Sequence, residues 1–257
     1  MADVIAAEFA KLRRSGVPWV TAAVMVVAVL GAALLIWIVR DPERAASLGL
    51  LGTKANLAGL EATWTAFGTY VTAIAGAGGL LLLAFVVTYL FGREYADDTA
   101  KNMLGLPTPR WRFVVAKLAV AAAWWLALVA LLLAAAFGTG ALLDLDGFSG
   151  AAAAGIVGGT LFAAGVSFLL VPVCAWITIA TRSYLAPLGF ALGMLLLGNL
   201  LGHTEWASWF PWSIVALLAT GAGGPTVLPW TSYAVLVATF AAGVAGAIHR
   251  LAHADNP

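Results

Sequence analysis

The chain has 257 residues, of which 63% are hydrophobic and only 10% are charged, with a formal net charge of +1. Soluble domains hold about 45 to 50% apolar and about 25% charged residues, so this composition excludes a soluble globular protein and indicates an integral membrane protein. A net charge so close to zero identifies no class of charged partner.

The first predicted element is an amphipathic helix over residues 3–15. Ile5, Phe9 and Leu12 fall on one helical face, and a helix with this pattern lies in the membrane interface. A frayed terminus with stop-signal basic residues explains these residues equally. The apolar run 17–39 exceeds the roughly 7 to 15 residues of a signal-peptide core, so we expect it to be retained.

Six apolar runs approach or exceed the about 20 residues that cross a bilayer as a helix. They are residues 17–39, 67–91, 113–143, 151–180, 185–201 and 232–248. None has the alternating pattern of a membrane barrel strand. The sequence therefore predicts a single all-α domain over residues 1–257 with six transmembrane helices.

Lysine and arginine mark the cytoplasmic side of a membrane protein. If both termini are cytoplasmic, only Arg40, Arg44 and Lys54 lie in outer segments. The inner segments then hold the other ten basic residues: Lys11, Arg13, Arg14, Arg93, Lys101, Arg110, Arg112, Lys117, Arg182 and Arg250. This asymmetry predicts cytoplasmic N- and C-termini.

The first outer loop opens with Asp41 and Pro42, a pair that suits the N-cap and first position of a short helix. Pro172 is expected to kink the fourth run. The outer segment 202–231 contains four tryptophans and an apolar middle, and its prolines interrupt any continuous span. We expect short helices in the outer interface there. An ordinary aromatic belt explains the tryptophans but not the apolar middle.

The inner loop 92–117 carries eight charged residues between two apolar runs. Asp97, Asp98 and Thr99 can cap a short helix over residues 100–106, which the following prolines end. A helix of two turns is not stable alone, so it must pack on the spans or enter a groove on a partner. The loop's last basic residues, Lys117 included, are expected to face lipid headgroups.

The apolar runs contain almost no side chains that titrate or bind metal. The charged exception is Lys117, which lies just inside the inner end of the third run. The absence of intramembrane charge argues against a proton-coupled carrier. The sequence contains no His-Glu-x-x-His motif and no Gly-Lys pair, so it lacks both a zinc-protease motif and a phosphate-binding loop. Any nucleotide chemistry must come from another polypeptide.

The inner loop resembles that of permease subunits in the type-two ABC exporter family. The pattern is Gly92-Arg93-Glu94-Tyr95, then Thr99-x-Lys101-Asn102-x-Leu104-x-Leu106-Pro107, then Arg110-x-Arg112-Phe113 and Lys117. A second patch, Thr181-Arg182-Ser183, is also similar. The chain departs from the pattern at Asp97-Asp98, where many relatives have one acidic residue and a glycine.

The resemblance implies a transport subunit in a bacterial-type cell membrane, without catalytic residues, metal or cofactor of its own. A second permease, a copy or a paralogue, pairs with it, and separate subunits bind ATP and Mg. The loop's short helix then acts as a coupling helix in the ATPase. The implied contact residues are Arg93, Glu94, Tyr95, Asp98, Thr99, Lys101, Asn102, Leu104 and Leu106.

By the same resemblance, spans two and five line the translocation path between two permeases. The polar side chains available there are Tyr70, Thr72, Thr88, Tyr89 and Asn199. Membrane lipid is an implied partner and nucleic acid is not. Two other readings stay open. A stand-alone scaffold or assembly factor would not copurify with an ATPase, and an intramembrane enzyme would act without ATP.

Overall fold

A computed structural model describes residues 1–50, 61–97, 109–219 and 228–253. The elements they form are helices. In chain order these are α1 Ala2–Arg13, α2 Val17–Arg40, α3 Pro42–Ser47, α4 Trp64–Ala73, α5 Gly79–Ala96, α6 Arg110–Leu142, α7 Gly150–Leu170, α8 Pro172–Thr181, α9 Leu185–Leu201, α10 Pro211–Ala219 and α11 Trp230–Ala252. A π-helical turn, Ile74–Gly78, joins α4 to α5, and a 3₁₀ turn, Glu205–Ser208, precedes α10.

Five helical segments are long and apolar enough to cross a membrane. They are Val17–Arg40, Trp64–Ala96, Arg110–Leu142, Gly150–Thr181 and Trp230–Ala252. Five of the six predicted runs overlap them, and the protein is a multi-pass membrane protein. The remaining run, residues 185–201, coincides with α9, whose 17 residues span about 25 Å at 1.5 Å per residue, short of the about 30 Å hydrocarbon core.

Hydroxyl and carboxylate side chains begin several helices. Thr63 accepts a hydrogen bond from the Ala66 N–H, and Ser149 accepts one from Ala152. The Asp41 carboxylate accepts from the Arg44 N–H at 3.1 Å. Each bond satisfies one of the amide groups that a helix start leaves without an intrahelical partner.

Two of the five spanning segments are interrupted. The π-helical turn lies within Trp64–Ala96. In Gly150–Thr181, α7 ends at Leu170 and α8 begins at Pro172. Proline has no N–H to donate to the preceding turn, so the break falls where the kink was expected.

The outer segment 202–231 was expected to form short helices in the outer interface, and in the structure one of its helices packs within the bundle. α10 inserts between α4, α7 and α9, and Ile214 and Val215 are fully buried. Trp206, Trp209 and Trp230 are exposed, as suits aromatic rings at the headgroup level. The apolar middle of the segment therefore belongs to the core, because its side chains are buried against α4, α7 and α9.

α11 packs closely on α8, and Gly243 is the point of nearest approach. A Cβ atom at Gly243 would lie 2.6 Å from the Val173 nitrogen and 2.7 Å from the Pro172 carbonyl carbon. Gly155 on α7 has open space at the same position. The contact between α8 and α11 therefore depends on the absence of a side chain at Gly243.

The Gly243→Ala variant is expected to lower stability, since backbone atoms cannot yield as a flexible side chain would. Overpacking typically costs about 1–3 kcal/mol. Gly155→Ala is the matched control and should be neutral or stabilising, because alanine favours a helix over glycine by about 1 kcal/mol. Thermal unfolding of both variants in detergent measures the difference. Equal midpoints would contradict the close packing.

Candidate functional site: an ion cluster at the inner end of the bundle

The inner loop is described in part. Arg93, Glu94 and Tyr95 lie in the last turns of α5. The other residues expected to contact a partner lie outside the described residues, as does the helix predicted over residues 100–106. These residues are Asp98, Thr99, Lys101, Asn102, Leu104 and Leu106.

Beside this loop, four ionisable side chains from three helices form a closed network, here called the inner ion cluster: Glu8, Lys11, Glu94 and Lys117. The Lys117 ammonium donates to Glu8 Oε2 at 2.8 Å and to Glu94 Oε1 at 2.7 Å. Lys11 donates to Glu8 Oε1 at 2.6 Å and to Glu94 Oε1 at 3.1 Å. The cluster joins α1, α5 and α6.

Three members of the cluster are withdrawn from solvent. Glu8 and Lys117 are each 3% exposed and Glu94 is 5% exposed. A third hydrogen bond from Lys117 reaches the Leu90 carbonyl at 2.6 Å, so each of the three ammonium donors has an acceptor. Two carboxylates and two ammonium groups balance in charge, which offsets the several kcal/mol that burying each ion costs.

The burial of Lys117 and Glu8 differs from expectation. Lys117 was expected to face headgroups, and the amphipathic pattern over residues 3–15 leaves Glu8 away from the apolar face of Ile5, Phe9 and Leu12. Instead, α1 packs against α6 and turns Glu8 inward, because Lys117 supplies the counter-charge. The isolated lysine seven residues into α6 was the available sequence signal, since such a residue needs a partner.

The surface beside the cluster carries a second set of polar contacts. Arg93 pairs with Asp97 at 3.1 Å on the exposed side, and it donates to the Lys11 carbonyl at 3.2 Å. The Arg182 guanidinium lies 5.9 Å from the centre of the Tyr95 ring. The two patches of the family-like pattern, which are far apart in sequence, therefore meet at the end of α5.

The five predicted path residues are not gathered in one place. Tyr70 and Thr72 are half-buried on α4, and Asn199 is exposed on α9. Thr88 is buried on α5, and its hydroxyl has no hydrogen-bond partner among the described residues. Thr72 and Thr88 are separated by 16 residues of one span, about 24 Å along the axis. The half-buried Tyr89 accepts from Arg93 at 3.3 Å.

The cluster changes the acidity of its two members on α1. Burial of Glu8 acts to raise its pKa, but the charge of Lys117 and the hydrogen bonds from both lysines outweigh it and lower the pKa below 4.5. Burial of Lys11 acts to lower its pKa, but Glu8 and Glu94 outweigh it and raise the pKa above 10.5. Both groups are therefore charged throughout the neutral range.

Docking of α1 is expected to be insensitive to pH near neutrality. Glu8 contributes stability above pH 4.5 that is lost as pH falls through its lowered pKa, and Lys11 contributes stability below pH 10.5 that is lost as pH rises further. Thermal unfolding from about pH 3 to about pH 9 measures this linkage. Glu8→Gln should flatten the acid limb. An unchanged acid limb in that variant would contradict the assignment.

Comparison with known proteins identifies the family of the chain. A model of the ABC-2 family transporter proteins matches residues 4–198, a range that includes every member of the inner ion cluster. The chain is also similar to the bacitracin transport permease protein BCRB of Bacillus licheniformis. The two are 30% identical over 175 residues, which cover 66% of this chain and 82% of that protein.

Proposed function

The chain belongs to the ABC-2 transporter family, and we propose that it forms one half of the membrane path of an ATP-driven exporter. Its family and its apolar helices identify it as a multi-pass permease subunit. In the proposed arrangement residues 1–257 form one permease domain with six spans, of which α9 is the fifth in chain order, and both termini are cytoplasmic. We propose the cell membrane of a bacterial-type cell on the family resemblance, and cytoplasmic termini because ten of the thirteen basic residues then lie on the inner side.

The energy source is proposed to be a separate ATP-binding subunit, which carries ATP and Mg. The full sequence has no Gly-Lys pair, so this chain lacks a phosphate-binding loop. The subunit would dock on the inner loop, where Arg93 and Asp97 are 35% and 52% exposed in their side chains. Leu104 and Leu106 supply the apolar part of this proposed contact.

The observation that carries the proposal is an ion pair that holds the last turn of α5, the helix from which the inner loop departs. Glu94 lies in the last turn of α5. Its buried carboxylate accepts a hydrogen bond from the Lys117 ammonium at 2.7 Å. We therefore assign Glu94 an indirect role in partner binding, in which it fixes the helix end from which the loop departs. A loop that receives force must be attached to a rigid element, since a free end would move without moving the spans.

The translocation path is proposed to lie between two permease subunits, this chain and a second copy or a paralogue. Tyr70, Thr72, Thr88, Tyr89 and Asn199 are its proposed polar residues. An apolar path without fixed charge fits an amphipathic or lipophilic cargo, and the similar protein from Bacillus licheniformis is named for bacitracin transport.

Copurification tests this proposal directly. The tagged chain, extracted from its native membrane in mild detergent, is expected to retain an ATP-binding subunit and to show ATP hydrolysis that the chain alone lacks. Cross-linking of two differently tagged copies tests the pairing. A chain that copurifies with no ATP-binding subunit would support a scaffold instead, and activity of the isolated chain without ATP would support an intramembrane enzyme.

A further inference from the structure

Ser167 connects the two interrupted spans. Its hydroxyl lies 2.9 Å from the Gly76 carbonyl and 3.2 Å from the Ala75 carbonyl, both in the π-helical turn. It also lies 3.0 Å from the Ala163 carbonyl in its own helix. A serine hydroxyl has one hydrogen to donate, so three carbonyls compete for it. The hydroxyl can therefore change acceptors between the two helices without leaving its hydrogen unpaired.

The turn that carries Ser167 is also the turn that Pro172 opens. In a regular α-helix the Val171 N–H would donate to the Ser167 carbonyl, four residues earlier. Here it donates to the Phe168 carbonyl, over a long 3.4 Å. Pro172 donates no backbone hydrogen bond at all. Helix bends concentrate at prolines and at π-type turns, and here one of each is joined by a single side chain.

Trp125 on α6 supports both interruptions from one side. Its indole Nε1 donates to the Ala164 carbonyl at 3.0 Å, in the turn before Ser167. Its ring lies against Gly79, the first residue after the π-helical turn, so closely that a side chain there would collide with it. α6 runs without interruption from Arg110 to Leu142, so it provides a continuous surface against which both turns rest.

Packing partners change across the interruptions. On the outer side, α4 and α7 contact each other, and both contact α10. On the inner side, α5 and α8 contact each other, and both contact α9. α9 is therefore a neighbour that the inner halves share, and α10 is one that the outer halves share. Other contacts join the two halves, because α5 also contacts α7, α6 contacts α4, α5 and α7, and α11 contacts both α7 and α8.

We propose that the π-helical turn and the Val171–Pro172 break form one paired hinge, at which α5 and α8 swing together against α4 and α7. Ser167 serves as the changing hydrogen bond and Trp125 as the support. The use of this motion in export rests on the proposed function, since α5 carries the inner loop. The hinge itself is a property of the chain alone.

Distance measurement between two spin labels tests the hinge on the full-length chain in lipid nanodiscs, with Cys174→Ala in every sample. One label pair crosses the hinge, at Phe85 on α5 and Leu161 on α7, both exposed. The control pair, Thr65 and Leu161, stays within the outer halves. We expect two distance populations for the crossing pair and one for the control pair.

The Pro172→Ala variant restores a backbone donor and is expected to reduce the crossing pair to one population. Ser167→Ala, which removes the exchangeable hydrogen bond, is expected to shift the proportions of the two. The hinge is wrong if the crossing pair gives a single distance in the unmodified chain, or if both variants leave its two populations unchanged. No ATP-binding subunit is present in this experiment, so its result is separate from the copurification that tests the exporter.

Discussion

Replacing Lys117 with methionine is expected to cost about 3–5 kcal/mol of stability, because breaking a buried ion pair leaves an uncompensated charge behind. Glu8 and Glu94 would remain as two buried carboxylates that have lost the buried ammonium between them and keep their contacts to the half-exposed Lys11. Methionine has about the volume of the lysine stem, so the loss reports charge more than packing. Thermal unfolding of the purified chain, followed by size-exclusion chromatography, measures it.

Lys11→Met is the matched control. The same substitution in the same cluster removes an ammonium group whose side chain is 42% exposed, and Lys117 still contacts both carboxylates. The loss is therefore expected to be smaller, because a partly exposed ion pair contributes less than a buried one. A variant that also carries Glu8→Gln and Glu94→Gln with Lys117→Met should recover much of the lost stability, since the charge of the cluster that then remains is the Lys11 ammonium, whose side chain is 42% exposed and stays in contact with water. Equal losses for Lys117→Met and Lys11→Met would contradict a buried, charge-balanced cluster.

The second large effect is expected from Leu104→Glu in the proposed coupling helix. A charge placed in an apolar groove of a partner removes a central contact, and such contacts are worth at least about 2 kcal/mol. That corresponds to roughly 30-fold weaker binding. The ATP-binding subunit should no longer copurify, while the amount of chain inserted in the membrane stays unchanged.

Asp144→Asn serves as the control for this experiment. Asp144 is exposed in the outer loop with a φ of 48°, a conformation that asparagine also tolerates. The variant should leave copurification and ATP hydrolysis unchanged. If Asp144→Asn abolished coupling and Leu104→Glu did not, the proposed orientation of the chain in the membrane would be inverted.

The spans were predictable from sequence because hydropathy is a local property. Five of the six predicted runs overlap helices long enough to cross a membrane, while the run 185–201 coincides with the shorter helix α9. The Pro172 break follows from the chemistry of one residue. The inner ion cluster was not predictable in the same way. Residues 8 and 117 are 109 positions apart, and the local sequence around each residue does not identify the other as its partner. Only the packing of α1 on α6 brings them together.

The π-helical turn shows a second limit. The sequence of Ile74–Gly78, alanine and glycine within an apolar run, predicts a regular α-helix and gives no sign of a π-helical turn. The Ser167 hydroxyl lies within hydrogen-bonding distance of two carbonyls of that turn, and this contact from a distant helix is not visible in the local sequence. The burial of α10 was missed for a related reason, since its neighbours come from three other parts of the chain.

The distance in sequence between the two ends of the cluster also sets an order of events during synthesis. α1 leaves the ribosome first, but the Lys117 ammonium that Glu8 needs arrives only with the third spanning segment. Until α6 has been inserted, the Glu8 carboxylate has no Lys117 ammonium beside it, so we expect it to stay at the membrane surface in contact with water. Docking of the N-terminus is therefore a late step of assembly, and an N-terminal fusion that obstructs it should act on the completion of the bundle and spare the insertion of α2.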